Sequence, residues 1–452
     1  MDEAIIAASR FGYGSGPGKP APTGDARQWV RSQLDRPVLP AAFAGMPDAT
    51  STLVALERER RQEREQAKQQ GDPDRAADKS MEDGRRKEIR EDYLREVGAR
   101  YQAAIASDTP FVERLAAFWA NHFTVSGVRP EVRPVAGAFE REAIRPHMLG
   151  KFETMVLAVV MHPVMGRYLD NAVSVGPNSR AGQRNKKGLN ENLGRELLEL
   201  HTLGVDGGYT EEDVRALARI LTGWGIGRLQ DPDAGKFRFY PQLHEPGPQV
   251  LLGRTYADEG MGQGLAAIHD IAVHPSTARH IARKLARHFV ADDPPPSAVD
   301  RLAAAFRESG GDLRHVSATL AELPEAWSAW QDKVKTPWDL VVSASIATGL
   351  TLPPDLLASF LERLGQPVFM APQPAGWPDD AVSWIGPEAV LRRVEWCAAF
   401  ADRTDKTLDP ETVAAQALGG ALDPAAHEAI GRAESRTQAV AMLLATPQFQ
   451  RR

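Results

Sequence analysis

This chain predicts a mainly α fold, a large multi-helix orthogonal bundle with a small β-meander insertion near 226–256. Three observations carry the prediction. Apolar residues recur at helical spacing along most of the 452 residues. Proline stands again and again where a helix starts, as at Pro110, Pro275, Pro354 and Pro387, positions that tolerate its fixed φ and missing N–H. Strand-like patterning is confined to one stretch, where KFRFY alternates and QVLLG forms a short apolar run after the turn HEPGP. His244 falls in that turn and is expected to be exposed.

The elements come in order within a single domain, 1–452. A short helix, Glu3 to Arg10, leads through a Gly/Pro loop to a helix near Arg27–Leu34. Residues 51–107 are dominated by charge and suggest a projecting helical hairpin, with a disordered connection around Gly71–Pro73. PFVERLAAFWANHF then starts at Pro110 behind the N-cap candidate Asp108. Its Phe111, Leu115, Phe118, Trp119 and His122 share one face, which puts His122 on the apolar side beside Trp119. Helices interrupted by proline recur at 152–170, 313–330 and 437–450, around Pro163, Pro324 and Pro447. The loop 171–190 carries Arg180, Arg184, Lys186 and Lys187; it is either plain solvated loop or a lid that attracts an anion. PSTARHIARKLARHF buries Ile281, Leu285 and Phe289 and turns Arg279, Arg283 and Arg287 outward. The C-terminal third is helical, except for a Pro/Gly/Trp loop at 365–386. Phe369, Met370, Trp377 and Trp384 make that loop too apolar to stand free in water, so it should pack on the body as a wall of a site.

Composition excludes several classes. Apolar content of 42% and charged content of 25% fit an ordinary soluble protein, and a net charge of −6 argues against a nucleic-acid partner. One cysteine, Cys397, allows no intrachain disulfide. No run approaches the ~18 apolar residues of a membrane span. The start has no basic segment followed by an apolar one, so a cytoplasmic location is expected. There is no H-E-x-x-H, P-loop, G-x-S-x-G or dinucleotide fingerprint.

The most unusual polar pattern is GLNENLGRELLELHTLGVDGGYTEEDVRALARILTGW, 188–224. Asn190 is placed to cap a helix running Asn192 to Leu203, and Gly204 to stop it. Thr210 and Asp213 suit a capping box on the next helix. Leu193, Leu197 and Leu200 mark the buried face of the first. At about 100° per residue, Glu196 falls between Leu200 and Leu203, with Glu199 and Asn192 on the same edge. Buried carboxylates need a partner. One reading is structural, with arginines as the partners. The other is a metal- or carboxylate-dependent site at the 190–201 helix. There Glu196, Glu199 and His122 would be ligands or acid–base groups, and Asn192, Arg195, Arg180 and Trp377 would touch substrate. Oxygen and nitrogen donors of this kind suit a divalent metal such as Fe, Mn, Mg or Zn.

RFGYGSGPG, FWANHFTVS, MHPVMGRYLDN, LNENLGRELLELHTLGVDGGYTEEDV, HPSTARHIARKLARHFVADDPP, GWPDD and LLATPQFQRR, in this order, resemble the bacterial DUF 1800 family, a domain of unknown function. The resemblance spans nearly the whole chain. It implies an all-α outline, and its central motif matches Asn190, Glu191, Asn192, Arg195, Glu196, Glu199 and His201. It implies no reaction. Many members look exported, and their genes often adjoin one for a sulfatase- or phosphatase-like protein; this chain starts without an export signal. The resemblance thus opens a second functional class: a non-catalytic partner or assembly protein for such an enzyme.

Overall fold

The computed structural model describes residues 3–36, 39–69, 79–185, 188–328 and 333–452. The connection at Gly71–Pro73, the loop residues Lys186 and Lys187, and the end of the 313–330 segment lie outside them.

The chain is mainly α, about 60% helical. Periodicity explains most elements. The Pro110–His122 helix buries Phe111, Leu115, Phe118 and Trp119, as their spacing requires, and His122 with them. The Pro275–Phe289 helix lays Ile281, Leu285 and Phe289 into the same core and packs against the Pro296–Glu308 helix. Phe11, Phe111, Phe289 and Trp327 form an aromatic knot there, with Phe11 and Phe111 edge-on at 5.3 Å. Each such side chain contributes about 2–3 kcal/mol on burial. The Pro337–Thr348 helix is buried along its whole length, and the Lys79–Ala106, Pro354–Arg363 and Pro410–Leu418 helices pack against it.

The charged segment folds as helices Ala49–Gln69 and Lys79–Ala106, joined across by Arg85–Glu63 at 3.6 Å. The second helix is polar early and apolar late. Val97 and Tyr101 are fully buried, and the Tyr101 hydroxyl donates to Ser345 Oγ of the Pro337–Thr348 helix at 2.6 Å. Arg145 enters the core fully paired, donating to both oxygens of Glu113 at 2.9 Å and to Glu140 at 3.0 Å.

The β insertion differs from a meander. It is two separate antiparallel hairpins, β1 (Trp224–Ile226) with β2 (Phe237–Phe239), and β3 (Gln249–Leu251) with β4 (Arg254–Tyr256). A 3-10 turn, Pro241–Leu243, and the buried pair His244–Glu245 occupy the chain between β2 and β3. His244 Nδ1 bonds the Thr222 carbonyl at 3.0 Å and the Glu245 amide bonds Thr222 Oγ1 at 2.8 Å. These bonds carry that segment inward, which is why His244 is buried rather than exposed. Among the described residues no helix is long and apolar enough to cross a membrane.

Candidate functional site

At the centre, Asn190 Oδ1 accepts from the Asn192 amide at 2.9 Å, and an α-helix runs Asn192–Glu196. It then widens into a π turn, Leu197–His201, and stops short of Leu203. Glu196 and Glu199 lie half-buried on the flank of this helix, and Asn192, at its start, is exposed. Arg195 makes a bidentate pair with Glu211 at 2.8 and 2.7 Å, which holds its guanidinium firmly protonated. Burial raises the Glu196 carboxyl above its ordinary pKa, and Glu199 beside it adds to the rise. Arg180 is exposed at the start of its own short helix.

His122 does not join those carboxylates. Its Nε2 donates to the His201 carbonyl at 3.0 Å, and His280 Nε2 donates to the Leu200 carbonyl at 3.0 Å. Both carbonyls belong to the last turn of the 192–201 helix, where no intrahelical donor is left. Among the described residues, no three His, Cys, Asp or Glu side chains are grouped to hold a metal. The expected set of Glu196, Glu199 and His122 is therefore not assembled, because His122 serves as a cap on the helix end. Its ring lies 6.0 Å from that of His201 and 6.2 Å from that of His280. Burial is the main force keeping these imidazoles neutral, with Lys284 adding to it. His201 is pushed down to about 3, His280 to about 4, and His122 also falls well below the ordinary value.

His280, Lys284 and His288 form an i, i+4, i+8 stripe on the Pro275–Phe289 helix. The stripe ends at a cavity of about 90 Å³, lined by Tyr13, Arg100, Asn121, His288, Asp339 and Trp377 among others. That space admits several waters or the head of a small ligand. One wall is the 376–386 loop. Asn121 fixes it with two bonds, accepting from the Trp377 amide at 2.7 Å and donating to the Trp377 carbonyl at 2.9 Å. Gly376 makes that approach possible: it sits at φ +81°, and a Cβ there would stand 2.4 Å from the Asn121 carbonyl oxygen. Two residues beyond Trp377, Asp379 meets His288, with Oδ2 2.6 Å from Nδ1.

Cations surround Asp379. Lys333, 2% exposed, donates to its carbonyl at 2.7 Å and lies 3.4 Å from Oδ1. Arg452, 1% exposed, pairs with Asp339 at 3.1 Å and reaches Asp379 Oδ1 at 3.8 Å. Backbone pairing puts both cations there: the Arg452 amide bonds the Lys333 carbonyl, and the Lys335 amide the Gln450 carbonyl, each at 2.9 Å. Burial alone would raise the Asp379 carboxyl, but His288 and Lys333 outweigh it and hold it far below the carboxylate range. Asp379 accepts from Nδ1–H of His288, so Nε2 is the ring nitrogen left for another partner. Nε2 makes no hydrogen bond among the described residues. Burial brings Lys284 down to about 8, with Asp379 partly offsetting it. Across the cavity, Arg100 stacks over Trp338 at 4.9 Å and Phe369 at 5.2 Å, and its Nε pairs with Glu140 at 2.9 Å. Phe369 holds a strained left-handed φ of 57° to take that place.

The family described as Protein of unknown function (DUF1800) matches residues 6–451. The chain belongs to the DUF1800 family. No curated protein matches it, and no solved structure does. In this DUF1800 chain, Trp377, expected to touch substrate, lines the cavity, while Arg195, given the same expected role, lies elsewhere and is paired with Glu211. It missed His288, Asp379 and Asp339. A signal was present: HxxxKxxxH puts a polar stripe along an otherwise apolar and basic helix, and GWPDD sits in a loop too apolar to be free.

Proposed function

We propose that the cavity between the Pro275–Phe289 helix and the 376–386 loop is the active site of a hydrolase, with His288 as general base. The observation that carries this is the His288–Asp379 bond on the cavity wall, with Nε2 left over. The lining offers no serine or cysteine among the described residues, and its threonine hydroxyls are engaged. Thr124 donates to the Asn121 carbonyl and Thr336 accepts from the Asp339 amide. Water is therefore the nucleophile. His288 Nε2 takes a proton from water as its oxygen bonds an acyl carbon. Asp379 stabilises the imidazolium that forms. The Arg100 guanidinium faces the developing oxyanion. The bond from carbon to the leaving oxygen then breaks, and His288 returns the proton to that oxygen. Trp377, Phe118 and Phe369 supply an apolar floor for a small acyl ester.

The test is turnover by the full chain on p-nitrophenyl acetate and butyrate, with p-nitrophenyl phosphate and sulfate as comparisons. Acyl esters should be cleaved, and His288→Gln should lower kcat/KM by about 100-fold or more while melting within a few degrees of wild type. Turnover on the phosphate or sulfate ester alone, or equal turnover by His288→Gln, would contradict the reading.

One observation favours a second reading, a non-catalytic partner of a phosphatase- or sulfatase-like enzyme. An apolar strip continues from the same loop: Val382 is 85% exposed, and Leu391 and Val394 stand out from the Pro387–Ala401 helix. Under that reading Leu391→Lys abolishes a stable complex on co-expression, and His288→Gln leaves the complex intact.

A further inference from the structure

Away from the cavity, four arginines converge on a groove of about 420 Å³. Arg61 and Arg64 come from the Ala49–Gln69 helix, Arg167 from the Pro163–Tyr168 helix, and Arg228 from the loop between β1 and β2. Glu57 is the one acidic residue among those lining it. The wall is built rather than draped. Gly235, at φ +77°, brings the β1–β2 loop so close to the helix that a Cβ would stand 2.8 Å from Val54 Cγ2. Within the loop, the Gly235 amide bonds the Gly227 carbonyl at 2.8 Å and the Arg228 amide bonds Asp231 Oδ2 at 2.8 Å.

One carboxylate, Glu57, faces four guanidinium groups in the groove. The Arg167 guanidinium makes no hydrogen bond or ion pair among the described residues, and its Nε is shut off from solvent. Burial lowers its pKa, Glu57 partly offsets this, and Arg60 opposes Glu57. Arg64 has no acidic partner among the described residues. Among the described residues, Arg61 is held by an exposed i,i+4 pair with Glu65 at 3.0 Å, the kind that gives way readily. Arg228 lies over the Tyr240 ring at 5.5 Å. A guanidinium nitrogen shut off from water without a partner is unfavourable, and a planar fork of N–H donors suits tetrahedral oxyanions.

We infer that this groove is a binding site for a small molecule carrying a phosphate or sulfate group, with Arg167 as its inner contact and Arg64, Arg61 and Arg228 closing around the anion. Ile226 and Leu229 line the same groove and receive the rest of the molecule.

Calorimetric titration of the full chain at low salt tests it, with sodium pyrophosphate, inorganic phosphate and sodium sulfate as probes. Wild type should bind at least one of them saturably at one site, and the stronger probe names the group. Arg167→Met should weaken that binding by about tenfold or more. Arg64→Ala, an exposed change that leaves folding intact, should weaken it too. Arg279→Ala, whose arginine pairs with Asp300 elsewhere, and His288→Gln should bind as wild type does. No binding by wild type at millimolar probe, or wild-type binding by both Arg167→Met and Arg64→Ala, would overturn the proposal.

Discussion

His288 Nδ1 and Asp379 Oδ2 stand 2.6 Å apart and join a core helix to a loop ninety-one residues further on. The bond does two things. It fixes the imidazole with one nitrogen turned to the cavity, and it places a carboxylate among the cations that would otherwise repel one another there.

The second role predicts a stability effect. Asp379 is depressed below its unfolded value, so the stability it contributes is present above the ordinary carboxylate pKa of about 4 and is lost as pH falls below it. Asp379→Asn should cost about 3 kcal/mol at pH 7, since Lys333 and Arg452 lose a counter-charge inside the protein. Urea unfolding should show the gap from wild type narrowing as pH drops below about 4. A gap that stays constant in acid would argue against the assigned charge state.

Gly376→Ala is expected to strike the site through its wall. The new Cβ meets Asn121 and Thr124, and φ +81° disfavours any side chain. The loop should lift from Asn121, costing about 2 kcal/mol and most of the turnover. Unaltered melting and kinetics would mean that the loop is not held by this approach.

Acid should unfold the histidine cluster early. His122 and His201 have folded pKa values below the unfolded value of about 6.5, so their share of stability is full above that pH and falls away below it. Between pH 6.5 and 4 the loss should approach about 1.4 kcal/mol per unit for each buried ring. His201→Gln should flatten the dependence. A wild-type urea midpoint that is level from pH 7 to pH 4 would refute it.

Glu196→Gln should leave the melting temperature unchanged or raise it. The carboxyl is already raised by burial and by Glu199, so removing its charge relieves a repulsion. A sharp drop in melting, or loss of a bound metal found by plasma mass spectrometry in wild type, would restore Glu196 to a ligand or pairing role.

Local physics made much of this legible in the sequence. The Phe111 to His122 stripe and the Thr210–Asp213 capping box arise from spacing alone, and both form as their residue order implies. At the centre, Glu196 and Glu199 do share a half-buried flank, but the His122 contact expected of them does not form, because His122 bonds the His201 carbonyl at the end of the π turn, a tertiary contact that spacing does not encode. The site itself is a matter of long-range pairing. His288, Asp379 and Arg452 meet because loop, helix and chain end are brought together by Asn121 and by backbone bonds between 333–335 and 450–452, which no local pattern encodes.

The most direct measurement is a double-mutant cycle on kcat/KM for p-nitrophenyl acetate, using wild type, His288→Gln, Asp379→Asn and the double variant. Groups that act as one unit are not additive. If His288 and Asp379 work as such a unit, the double variant is no slower than His288→Gln alone. Losses that multiply, with the double variant slower by the product of the two single effects, would show that Asp379 and His288 do not act together and would remove the central claim.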